Sequence, residues 1–212
     1  MTPTELDKAL TLLLHELLFN TGFTKKRKCR LIRKQNECEQ DFSFYFTRDR
    51  GLPGNTYSLS ATMSFTFSEV DKLTSLFMGE EYKAEWATGA RPFYSVIPDC
   101  PVAKYRYCAD EPLEQFAEML SQDFCSYALS FYDEYDTLSK LECYFDRHED
   151  CINQINGFRV VRTNKYGNSH WCCKAAVLCV LGKWDKLKLF LDEKDLLLDE
   201  QKERIVEYIS ER

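Results

Sequence analysis

One stretch limits the possible folds more than any other. In Tyr57–Phe67, Tyr57, Leu59, Ala61, Met63, Phe65 and Phe67 share one parity, and Ser58, Ser60, Thr62, Ser64 and Thr66 share the other. Successive side chains of a strand point to opposite faces, so this is a long strand with one apolar and one hydroxylated face. An apolar face needs cover. Phe42, Phe44 and Phe46 alternate in the same way just upstream. The turn chemistry of Arg50-Gly51-Leu52-Pro53-Gly54-Asn55 joins the two strands as an antiparallel hairpin.

The cover is expected from helices. Thr2-Pro3-Thr4-Glu5 reads as a capping box with proline at the first helical position. Leu6, Leu10, Leu13, Leu14 and Leu17 follow at helical spacing up to a stop at Gly22, so helix one is expected as the lid of the Tyr57–Phe67 strand. Ser68 is expected to cap a short helix that ends at Gly79, and Asp110-Glu111-Pro112 to open a second long one. Phe93–Ile97 and Lys104–Cys108 are short strand candidates. After Tyr132 the strand pattern does not return. Trp171–Leu181 is apolar nearly all round, as a central helix would be, and Gly182 separates it from the helices carrying Leu187, Phe190, Ile205 and Tyr208. The expected fold is α+β: an amino-terminal helix on an antiparallel sheet of about four to five strands, then a carboxy-terminal helical group. The expected domains are 1–132, α+β, and 133–212, helical and packed against it.

Ten cysteines without a C-x-x-C pair, in a chain of 212 residues whose polar start MTPTELDKAL does not look like a leader, read as reduced thiols of a cytoplasmic protein. No apolar run approaches the roughly 20 residues of a membrane span. The net charge of −6 opposes general nucleic-acid binding. A local exception is the basic run Lys25, Lys26, Arg27, Lys28, Arg30, Arg33 and Lys34. It reads as one edge strand guarded by charge, with a phosphate contact as the alternative.

No motif selects a reaction. G-x-S-x-G and the phosphate-loop and dinucleotide fingerprints are missing from the sequence. His15 reads as structural. His148/Cys151 and His170/Cys173 form two H-x-x-C pairs that in principle make an N2S2 zinc set, but Cys172 and Cys173 lie on the buried helix, so no metal or other cofactor is expected. An enzyme with a scattered Cys/His site is kept as an alternative. Acidic residues are concentrated instead: Asp133, Glu134, Asp136, Glu142, Asp146, Glu149 and Asp150 face only Lys140 and Arg147 within the segment. With Tyr132 and Tyr135 as aromatic anchors, this segment is the expected partner-binding surface, for a basic protein.

The order of features in the amino-terminal half is an opening amphipathic helix, Gly22-Phe23-x-Lys25-Lys26, alternating aromatics, a long polar–apolar strand, and a helix after Tyr105-Arg106-Tyr107. Over roughly residues 4–132 it resembles a bacterial domain-of-unknown-function family of small cytosolic proteins. That resemblance supplies no catalytic residues. Relatives of this kind can sit beside secreted toxins as immunity proteins, so the resemblance implies an immunity protein whose partner is a cognate toxin domain.

Overall fold

The computed structural model describes residues 2–48, 51, 53–84, 86–101, 103–147, 161, 169–193 and 196–211. The fold is α+β, with an amino-terminal helix, an antiparallel sheet and carboxy-terminal helices. The elements are α1 (Pro3–Leu17), β1 (Thr24–Arg27), β2 (Arg30–Gln35), β3 (Cys38–Arg48), β4 (Thr56–Thr66), α2 (Ser68–Met78), β5 (Gly89–Pro92), β6 (Arg106–Cys108), α3 (Leu113–Asp123), α4 (Leu129–Glu134), α5 (Leu138–Arg147), α6 (Ser169–Val180), α7 (Trp184–Asp192) and α8 (Asp199–Ser210). The strands are ordered β1-β2-β3-β4-β5, and β6 also pairs with β4. Two compact units emerge. The first is Met1–Gln35, Glu39–Ser64 and Arg91–Glu134; the second is Asn36–Cys38, Phe65–Ala90 and Tyr135–Arg212. α2 belongs with the carboxy-terminal helices in the second unit. Its apolar stripe is buried mainly against α6, a pairing of sequence-distant helices that no local pattern announces.

In the first unit, α1 opens with the expected capping box. Thr2 Oγ1 accepts from the Glu5 amide at 3.3 Å, and Glu5 Oε2 accepts from the Thr2 amide at 2.7 Å. Leu6, Leu10, Leu14 and Leu18 form its fully buried stripe. α1 packs against α3 and the β1–β2 hairpin. A polar bracket ties it to β3: the buried Asp7 carboxylate accepts from the Phe46 amide at 2.7 Å and pairs with Lys28 at 3.2 Å. Removing the acceptor strands a buried amide. Asp7→Ala is therefore expected to lower stability by about 1–3 kcal/mol in denaturant titration, and Asp7→Asn, which keeps an acceptor, by less.

The basic run forms two strands, not one. Arg27 pairs with Arg30 across the tight turn Lys28-Cys29, where Cys29 takes the left-handed conformation at φ 60°. Thr11 Oγ1 accepts the Cys29 amide at 3.0 Å and holds that turn in place. Cysteine is not a turn residue, so alternation ran on through it in the sequence. Phe93–Val96 is a 3-10 turn and not a strand. Ser95 Oγ donates to the Pro92 carbonyl at 2.7 Å, closing the turn locally, and the strand lies just before it in β5. On β4, Tyr57, Met63 and Phe65 are buried and Leu59 and Ala61 are half-buried. The opposite parity is half-buried except for exposed Ser60.

In the second unit, α6 is buried on nearly every side, as its composition predicts, and packs against α2, α5 and α7. The start of α2 differs in detail from expectation. Phe67, not Ser68, occupies the cap position and has no side-chain cap. The Phe67 amide donates to Thr88 Oγ1 at 2.8 Å, and that hydroxyl donates to the buried Asp71 carboxylate at 2.8 Å. A residue from the β5 approach thus does what a capping serine would do. At the other end Gly79 turns left-handed at φ 68°, and a Cβ there would lie 2.8 Å from the Arg204 guanidinium.

Candidate protein-binding surface

The segment Tyr132–Asp150 is divided between the two units after Glu134. Tyr132 is fully buried in the first. Its ring lies 5.2 Å from Phe23, and its hydroxyl donates to the Asp41 carbonyl at 2.5 Å. Tyr135 is 1% exposed in the second, stacked on Phe65 at 5.2 Å with the rings 5° from parallel. The expectation that these tyrosines anchor a partner at the surface is corrected: both are core side chains. Tyr132 sits on α4 and Tyr135 in the bend between α4 and α5, and each ring is taken up by aromatic packing inside its own unit.

The carboxylates fare differently. Asp133 is exposed and pairs with Arg33 at 3.1 Å; Glu134 is exposed. Asp136 is buried and pairs with Lys140 at 2.8 Å. Glu142, also buried, accepts from Lys183 and, at 2.8 Å, from Lys186, which reaches exposed Asp146 at 3.4 Å. Burial works against the charged form of Glu142, yet the two lysine hydrogen bonds outweigh it and hold the carboxyl below its ordinary value. Glu149 and Asp150 lie outside the described residues, as do His148 and Cys151. The segment read as a solvated acidic surface is therefore largely matched by cations of its own chain.

Ion pairing also takes up much of the basic run. Lys26 pairs with Glu39 at 2.8 Å, Lys28 with Asp7, Arg30 with Asp41, and Arg33 with Asp133. Arg33 further donates to Gln40 at 2.6 Å and lies over the Phe23 ring at 5.1 Å. Lys25, Arg27 and Lys34 remain outward. Three scattered cations on an otherwise compensated hairpin make a weak footprint for a phosphate backbone.

The nine cysteines among the described residues form no disulfide with one another. Burial pushes the Cys29 thiol up to about 11 and that of Cys172 up to about 12, raises Cys173 well above the ordinary value, and raises Cys100 and Cys125 as well. A cysteine nucleophile needs the opposite shift. His170 is buried edge-on against Trp171 at 4.7 Å and Phe145 at 5.0 Å. Among the described residues no three His, Cys, Asp or Glu side chains gather as metal ligands. Asp71, Thr88 and Cys173 border a cavity of about 50 Å³ in the second unit. That is room for water, not for an organic substrate.

The acidic face that does form lies on α8. Asp199, Glu203, Glu207 and Glu211 follow one another at four-residue intervals, and all are exposed, together with Glu200 and Val206. The helix's cations are directed elsewhere: Arg204 reaches Glu200 at 3.3 Å and the Phe77 carbonyl, and Lys202 the Glu193 carbonyl at 3.1 Å. Among the described residues, Asp199, Glu203, Glu207 and Glu211 make no ion pair. Like charges four apart destabilise a helix, and carboxylates in its last turn oppose the helix dipole. The four-residue interval was visible in the sequence, behind the apolar stripe of Ile205, Tyr208 and Ile209.

Comparison of the chain with protein-family models, with curated proteins and with solved structures finds no match. No helix among the described residues is long and apolar enough to cross a membrane.

Proposed function

We propose that this chain is a non-catalytic protein-binding protein of the cytoplasm that captures a basic partner, in the manner of an immunity protein neutralising a toxin such as a nuclease. The carboxylate ladder of α8 carries the reading. It costs the helix stability at Glu203, Glu207 and Glu211 and leaves those charges facing water. A local rule broken without a compensating contact points to a binding role. Such a surface speeds and selects the encounter with a cationic partner. The upward-shifted thiols support a reading without turnover.

The test first reads the neighbouring reading frames for a secreted protein with a toxic domain, and then uses that domain, made inactive and purified. Stopped-flow association with the wild type is expected to fall as salt rises. Glu203→Lys/Glu207→Lys/Glu211→Lys is expected to slow association about tenfold or more and to flatten the salt dependence. Unchanged association and salt slope in the triple variant would remove α8 from the reading. No complex at micromolar concentration would remove the reading itself.

A further inference from the structure

α1 carries more leucine than its buried face uses. Leu6, Leu10, Leu14 and Leu18 fill the core contact, and Leu12, Leu13 and Leu17 remain. Leu12 is 53% exposed and Leu17 42%, and Phe19, just past the helix, is 66% exposed. Together with half-buried Ala9 and Leu13 these form a second apolar stripe along the helix, at spacings of three and four. Scattered exposed leucines need no explanation, but a contiguous stripe marks a contact site. Here it borders a depression: Ala9, Leu12 and Leu13 on one side and Leu113 at the start of α3 on the other enclose an open groove of about 410 Å³. That volume has room for two or more large apolar side chains.

The rim tells which side chains. Glu111 and Glu114 line the groove, and both are exposed. Glu5 and Glu16 are exposed on α1 against a single exposed lysine on that helix, Lys8. An apolar slot edged by carboxylates selects a large apolar residue flanked by lysine or arginine. The long apolar stripe beside it matches the face of a helix with anchors three, four and seven residues apart. We propose that the α1–α3 groove docks a basic amphipathic helix of another protein. This surface lies in the first unit and does not depend on the α8 ladder.

Two labelled helical peptides of about 18 residues serve as probes, sharing one leucine stripe, with lysine at the other positions in one and glutamate in its twin. Fluorescence anisotropy at about 150 mM salt is expected to show the lysine peptide binding at least tenfold tighter than its twin. Leu12→Glu alters an exposed position with a good helix former, and circular dichroism verifies its fold. It is expected to weaken binding about tenfold although it adds negative charge. Glu111→Gln/Glu114→Gln is expected to weaken binding about threefold or more and to reduce its salt dependence, while Glu203→Lys/Glu207→Lys leaves it within about twofold. Equal or tighter binding by Leu12→Glu would mean attraction by charge alone and overturn the proposal. Equal binding of both peptides would also overturn it. So would a wild-type dimer that Leu12→Glu splits, since the stripe would then be covered by a second copy.

Discussion

Phe124→Ala is expected to destabilise the first unit by about 3–5 kcal/mol. Phe124 is fully buried in the short π-helical turn Phe124–Ala128 that joins α3 to α4. Its ring stands 4.9 Å from Phe42 and 5.1 Å from Phe23, both near edge-on, and 6.5 Å from Phe93 and 6.2 Å from Tyr132. One side chain therefore connects the strand β3, the turn after Gly22, the β5 exit and α4. Its removal loses transfer free energy, four aromatic contacts and a cavity's worth of packing, since neighbours held by separate elements cannot all collapse inward. Denaturant titration followed by near-ultraviolet circular dichroism reads the loss. A cost under about 1 kcal/mol would show that the cluster repacks freely. Phe124→Leu, closer in volume, is expected to lose less than half as much.

Glu142→Ala is expected to cost about 2–4 kcal/mol at neutral pH, below the full penalty for breaking a buried pair because both lysine heads remain partly in water. Glu142→Gln keeps an acceptor and is expected to cost about 1–2 kcal/mol. The dependence on pH separates charge from packing. The folded-state value of Glu142 lies below the ordinary 4.5, so the carboxylate's stabilisation is fully present above about pH 4.5 and is lost as pH falls through the folded value. The gap between wild type and Glu142→Gln should therefore close in acid. A gap unchanged down to low pH would mean that the residue acts through shape alone. Lys186 shows the other side of the contact: the hydrogen bond to Glu142 raises it above 10.5, so that part of the stabilisation is lost only in strong base. Asp41 in the first unit behaves oppositely. Burial pushes its carboxyl up, and Arg30 only partly offsets this, so protonation of Asp41 relieves a cost in the folded state. Comparing wild type with Glu142→Gln cancels that contribution.

Much of the fold could be read locally. The Thr2/Glu5 box, the left-handed glycines at 22, 79 and 182, the alternation of Phe42–Phe46 and Tyr57–Phe67, and the all-round apolar α6 are each written within a few neighbouring residues. Errors in the secondary structure arose where a tertiary or unusual local bond overrode the pattern. Thr11 stabilises a turn at Cys29, Ser95 closes one after Pro92, and Thr88 replaces a helix cap for α2. The candidate surface was less legible. Charge density alone suggested Tyr132–Asp150, but whether a tyrosine or carboxylate faces water depends on what the chain brings to it from afar.

For this protein, periodicity and capping settle most of the long strands and helices, because they depend on hydrogen bonds and side-chain spacing within about one turn or one pleat. They also make the α+β class visible before any packing is known. Three-dimensional packing settles the rest: that α2 joins α6, that Tyr132 meets Phe23 and Asp41 while Tyr135 meets Phe65, and that Arg33 and Lys183 neutralise acids far along the chain. Burial and ion pairing are properties of positions in space. On α8, Asp199, Glu203, Glu207 and Glu211 are exposed and make no ion pair among the described residues, a state that only the packing around the helix decides.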